Sequence, residues 1–130
     1  MKKETKYLVG IIIAVIFIIG FLALLDPNRK ETSSKYDEFA LCLADKGAKF
    51  YGAFWCPHCQ AQKKAFEWSK NIPYVECSTP DTKGQLDICR DAGINSYPTW
   101  TFADGSTLSG EIPLEKLAEK TGCTLPTTSN

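Results

Sequence analysis

The chain has 130 residues, enough for one ordinary domain, and its 15 Lys and Arg are balanced by 15 Asp and Glu, with one histidine. Charge says little beyond that: neither a basic stripe nor an acidic tail appears, and no nucleic-acid partner is expected. Six cysteines in so short a chain point to an exported, disulfide-tolerant compartment rather than the cytosol.

Residues 1–7 read as a short polar tail. From Leu8 to Leu25 no charge interrupts Ile, Leu, Val, Phe, Ala and Gly, a stretch that as a helix spans about 27 Å, close to a bilayer core. A cleaved signal peptide has a shorter apolar region and a small-x-small cleavage site, whereas Phe21, Leu24 and Leu25 stand where small residues belong. A retained single-pass anchor over 8–25 is therefore expected. Lys2, Lys3 and Lys6 before it match Arg29, Lys30 and Lys35 after it, so basic residues alone do not orient it. The free terminal amine and the cysteine content favour a cytoplasmic N-terminus and an extracytoplasmic domain, at the cell or inner membrane.

Residues 26–34 are polar and turn-prone and read as a linker. A helix is predicted from Ser34 and Asp37, with Tyr36, Phe39, Ala40 and Leu43 at helical spacing until Gly47. Lys49 to Trp55, continuously apolar and short, predicts a buried strand. Pro57 opens a second helix in which Ala61, Ala65 and Trp68 share a face. Ile72 to Cys77 predicts a strand, Gln85 to Ala92 a short helix stopped by Gly93, and Thr99 to Ala103 with Ser106 to Leu108 a hairpin around Asp104-Gly105. Pro113 opens a last helix whose Leu114, Leu117 and Ala118 face inward until Gly122. The order α, β, α, β, α, β, β, α predicts an α/β domain over 35–123, a mixed sheet flanked by helices, followed by a tail at 124–130.

The chemistry of the chain concentrates in Cys56-Pro57-His58-Cys59, between the first predicted strand and the second predicted helix. Two cysteines three positions apart at a helix start meet the distance a disulfide needs and can cycle between dithiol and disulfide. Exchange needs a thiolate, and a free cysteine with a pKa of about 8.5 supplies little near neutral pH. A helix start favours negative charge, and His58 between the thiols is placed to donate a hydrogen bond or positive charge to a thiolate. Cys59, one turn inside, is expected to be shielded and to resolve a mixed disulfide formed at Cys56. The competing reading is a purely structural disulfide between the two.

Strand, Trp55-Cys-x-x-Cys, helix, strand, helix, Tyr97-Pro-Thr and a closing hairpin plus helix resemble the thioredoxin fold over about residues 36–122. Phe50-Tyr-Gly-Ala-Phe-Trp-Cys-Pro-His-Cys59, Tyr74-Val-Glu-Cys77, Tyr97-Pro-Thr-Trp100 and Leu108-Ser-Gly-Glu111 resemble more closely the thioredoxin-like domain fused to vitamin K epoxide reductase homologues. That resemblance implies a thiol oxidoreductase that passes disulfides to substrate proteins through mixed disulfides and is reoxidised by a quinone-linked membrane domain. No multi-helix reductase domain is present here, so a separate membrane partner of the vitamin K epoxide reductase type is expected. The resemblance assigns Pro98 as a cis-proline facing the cysteine pair. It also implies a structural disulfide between Cys77 and Cys89, with a second, electron-relaying pair as the alternative; closing such a loop is worth about 3 kcal/mol. Cys42 and Cys123 have no family counterpart and stay open between pairing, burial and free thiols.

The Pro-His pair between the cysteines resembles that of DsbA, with a potential of about −120 mV against about −270 mV for thioredoxin, which predicts a disulfide donor. Thioredoxin proper carries a buried Asp six residues before its first active-site cysteine; here that position is Phe50, which removes thioredoxin-style acid–base assistance. A membrane-tethered reductase or isomerase uses the same exchange chemistry and is the alternative activity. Trp55 is read either as an active-site neighbour or as a plain core aromatic. No cofactor is expected. Metal binding is disfavoured because one C-x-x-C is followed only by isolated cysteines and no further histidine. A redox-inert interaction module is disfavoured because both thiols are kept.

Overall fold

The computed structural model describes residues 3–24 and 33–127. Chain contacts divide it into two units, Met1–Thr32 and Ser33–Asn130, each taken by itself. In the first, helix α1 runs Lys3–Leu24, and its stretch Thr5–Ala23 is long and apolar enough to cross a membrane, a property that anchors and export signals share. The helix begins within the expected polar tail, since Lys3, Glu4 and Lys6 are good helix formers that continue its hydrogen bonding. Most of the expected linker, together with residues 1–2 and 128–130, lies outside the described residues.

The second unit contains α2 (Asp37–Asp45), β1 (Lys49–Gly52), α3 (Pro57–Ala65), β2 (Tyr74–Glu76), α4 (Asp87–Asp91), β3 (Thr99–Thr101), β4 (Thr107–Ser109) and α5 (Leu114–Thr121). This is the predicted order. The four strands form one mixed sheet in the order β2-β1-β3-β4, with β1 parallel to β2 and antiparallel to β3, and β3 antiparallel to β4. The hairpin closes around Gly105, whose N–H donates to Phe102 O at 2.9 Å. Gly122 ends α5 in the left-handed conformation at φ 74°, its N–H donating to Ala118 O at 2.8 Å.

Alternation along β1 sends Phe50 and Tyr51 to opposite faces. Phe50 joins the main core with Phe39 and Leu43 of α2, Phe66 just beyond α3, Trp100 of β3, and Leu114 and Leu117 of α5. Its ring stacks on Trp100 with centroids 5.0 Å apart, and Phe66 continues the stack at 6.0 Å from Trp100. Tyr51 instead meets Cys77, Cys89 and Ile94 in a smaller cluster. An α/β mixed sheet with helices on both faces is thus borne out.

Two local expectations are corrected. Trp68 does not extend the buried face of α3: the helix closes at Phe66, Glu67 and Trp68 take positive φ of 50° and 58°, and the Trp68 ring is 57% exposed. The buried face consists of Cys59, Gln62 and Phe66, while Ala65 is exposed. The first strand ends at Gly52, not Trp55, because the backbone turns there, with Cys56 N–H donating to Ala53 O at 3.0 Å. That turn lifts the end of the apolar run onto the rim of the cysteine site.

Candidate active site

The β1–α3 junction places both sulfurs of the central motif. Cys56 caps α3 in an extended conformation, and Pro57 takes the first helical position, where its missing N–H leaves no bond unmade. Cys56 is 6% exposed and Cys59 fully buried, and both are free thiols. Cys56 Sγ lies 3.9 Å from Tyr97 O, beside the cis Tyr97–Pro98 peptide, and Pro98 is buried.

Burial is the main reason that the Cys59 thiol is pushed up to about 12; the neighbouring Cys56 sulfur adds to the rise, while an Ala53 backbone hydrogen bond and the Lys63 charge oppose it. Gly52 makes room for this sulfur. A Cβ there would stand 2.8 Å from Cys59 Sγ and 2.9 Å from Tyr74 Cε2. Lys63, one helical turn beyond Cys59, rests with Nζ 3.3 Å from the centroid of the Tyr74 ring. Partial burial lowers its pKa, against the pull of Glu76 and Cys59. Tyr74 OH donates to Glu76 Oε2 at 2.7 Å, and burial above all, then Glu76, raises its own pKa. Glu76 Oε1 accepts from the backbone N–H groups of Phe54, Cys77 and Ser78 at 3.2, 3.1 and 2.9 Å.

His58 is exposed, and its Nδ1 donates to Glu111 Oε1 at 2.6 Å instead of reaching a thiol. Glu111 sits on a strap between β4 and α5 that Gln62 clamps: Ile112 N–H donates to Gln62 Oε1 at 2.6 Å, and Gln62 Nε2 donates to Ile112 O at 3.0 Å. The buried amide is therefore satisfied on both sides, as a polar group in a core must be. Trp55 is half-exposed at the rim; its indole donates to Ser78 Oγ at 2.8 Å and meets the Tyr97 ring edge-on.

Cys77 and Cys89 are bridged, both fully buried, and Cys42 of α2 is bridged to Cys123 just beyond α5. Among the described residues no three His, Cys, Asp or Glu side chains gather as a metal site. The structure brings Cys56, Pro57, Cys59 and Pro98 together, turns His58 outward, and keeps both disulfides in other parts of the domain. Sequence reasoning missed Lys63, Tyr74, Glu76 and Gln62. The one signal for Gln62 was its place three residues after Cys59, on the same helical face.

No family model matches the chain. It is 49% identical over 107 residues to thiol-disulfide oxidoreductase LTO1 of Arabidopsis thaliana, an alignment covering 75% of this chain and 28% of the plant protein. The domain is thioredoxin-like. It is also 32% identical over 87 residues to a protein disulfide-isomerase of Aspergillus niger, covering 60% of this chain and 16% of the fungal one. The chain thus spans well under half the length of both relatives. Thioredoxin-like architecture accounts for the local design: a strand delivers the first cysteine to a helix start, and the helix buries the second beneath it.

Proposed function

We propose that this chain is a membrane-anchored, extracytoplasmic thiol-disulfide oxidoreductase that donates disulfides to exported proteins. The observation that carries the reading is the pairing of a free Cys56 at the cap of α3 with a fully buried free Cys59, facing Tyr97–Pro98. In this reading a substrate thiolate attacks Cys56, Cys59 leaves, and a second substrate thiol releases the mixed disulfide. Pro98 and the Tyr97 carbonyl orient the substrate backbone, and Pro57 fixes the turn into α3. His58 stays outside the pair, its ring held by Glu111. Similarity to a thiol-disulfide oxidoreductase supports the activity.

The remaining features fit an oxidising compartment. Helix α1 serves as a single-pass anchor with a cytoplasmic N-terminus, and the two further disulfides are stable where thiols are not kept reduced. Cys77–Cys89 is structural, since both of its sulfurs are removed from solvent thiols. Reoxidation falls to a quinone-linked membrane partner of the vitamin K epoxide reductase type. The similarity to a protein disulfide-isomerase favours isomerisation as the second reading.

Redox titration of Cys56–Cys59 against glutathione separates these directions. A donor is expected to equilibrate well above the roughly −180 mV of protein disulfide isomerase, towards the DsbA value of about −120 mV. A potential near −270 mV, that of thioredoxin, removes the donor reading and leaves a reductase.

A further inference from the structure

Thiol-disulfide exchange at a fully buried sulfur needs a route for its proton, and the place beneath the site where a carboxylate would serve is filled by Phe50, itself fully buried and stacked on Trp100. The titratable groups that bear on Cys59 are Cys56 and Lys63 from α3 and Tyr74 from β2, with Glu76 of β2 behind Lys63 and Tyr74; β1 and the turn after it contribute only the backbone of Gly52 and Ala53. Glu76 is immobilised: Oε1 accepts three backbone N–H groups and Oε2 the Tyr74 hydroxyl. Lys63, half-buried like Tyr74 and Glu76, is seated on the Tyr74 ring and on the same helical face as Cys59.

We propose that Lys63, seated on Tyr74 with Glu76 behind it, carries the proton to and from Cys59 during exchange. The inference rests on the oxidoreductase reading above. When a substrate thiolate attacks Cys56 Sγ, the new sulfur–sulfur bond forms as Cys56–Cys59 breaks; Cys59 leaves with the electron pair and takes a proton from the Lys63 ammonium. The neutral amine then regains a proton from water. In the opposite direction the amine takes the Cys59 proton, and the thiolate attacks Cys56 of the mixed disulfide. The Cys56–Cys59 bond closes, and the substrate sulfur departs with its electron pair to be protonated by solvent. Burial shifts both partners in the sense that protonation of the leaving Cys59 sulfur needs, raising the thiol and lowering the ammonium, while the reverse transfer runs against the same shifts.

The test uses full-length, detergent-solubilised protein reduced at Cys56 and Cys59 and mixed with 5,5′-dithiobis(2-nitrobenzoate) in a stopped-flow instrument. The first release of thionitrobenzoate reports attack by Cys56, and the second reports resolution by Cys59. Lys63→Met and Lys63→Arg are both expected to slow the second phase about 100-fold near neutral pH, the range of general acid–base catalysis. In both variants that phase should accelerate steadily with pH as hydroxide replaces the amine. Arginine keeps the positive charge but sheds no proton in this range, so a wild-type second phase in Lys63→Arg means that charge alone suffices and overturns the proposal. An unchanged second phase in both variants overturns it as well. If Lys63→Met fails to fold, Lys63→Arg decides by itself. A wild-type protein with no second phase defeats the exchange reading itself, a result distinct from either outcome in the variants.

Discussion

Full-length protein carrying Cys59→Ser is expected to accumulate mixed disulfides through Cys56 with the proposed substrate proteins and the proposed reoxidising partner. The buried Cys59 sulfur lies within α3 directly behind Cys56, so resolution in the native protein is intramolecular and strongly favoured by proximity. Serine occupies nearly the same volume, keeps the pocket beside Gly52 filled, and cannot expel the bound thiol. Lifetimes of trapped species should lengthen by about a thousandfold or more, a modest share of the advantage that fixed geometry confers. Non-reducing gels and mass spectrometry would read the adducts. Cys56→Ser/Cys59→Ser should trap none. Adducts that persist in the double variant through Cys42 or Cys77 would show that the exchanging thiol lies elsewhere.

The second large effect concerns stability. Cys42–Cys123 joins residues 81 positions apart and Cys77–Cys89 residues 12 apart. Loop-closure entropy assigns about 4.5 kcal/mol to the first crosslink and about 3 kcal/mol to the second. Either is a large fraction of the 5–15 kcal/mol that holds a typical domain together. Cys42→Ala/Cys123→Ala should therefore lower the unfolding free energy in urea more than Cys77→Ala/Cys89→Ala does. The longer bridge ties α2 to the segment leaving α5, so its loss frees both ends of the domain at once. The reverse order would mean that packing of Cys77 and Cys89 against Tyr51 and Ile94 outweighs chain entropy.

Local rules made the elements legible. Pro57 at the start of α3, Pro113 before α5, Gly122 after it and Asp104-Gly105 in the hairpin each mark a boundary by backbone preference alone. Spacing also brought Cys56 and Cys59 to the start of one helix. What stayed hidden depends on contacts between distant residues. The turn at Glu67 and Trp68 rotates a large aromatic out of the face that helical spacing assigned to it. His58 meets Glu111 across 53 positions, and Gln62 reaches Ile112 across 50; no periodicity encodes either contact. The partner of Cys42 lies 81 residues away and needed the packed domain to reveal it. Phe50 was recognised as an apolar replacement, but the Lys63, Tyr74 and Glu76 cluster beside Cys59 forms only when β2 pairs with β1 and places Tyr74 opposite Phe50.

Single-turnover transfer tests the central claim most directly. Full-length protein with Cys56–Cys59 oxidised is mixed with an excess of a reduced, unfolded cysteine-containing protein, quenched in acid, alkylated and analysed by peptide mass spectrometry. The account predicts that each molecule passes one disulfide to the substrate while Cys56 and Cys59 become alkylatable and the Cys77–Cys89 and Cys42–Cys123 bridges stay intact. A substrate that remains reduced beside a persisting Cys56–Cys59 disulfide, or one oxidised at the expense of either other bridge, would contradict it.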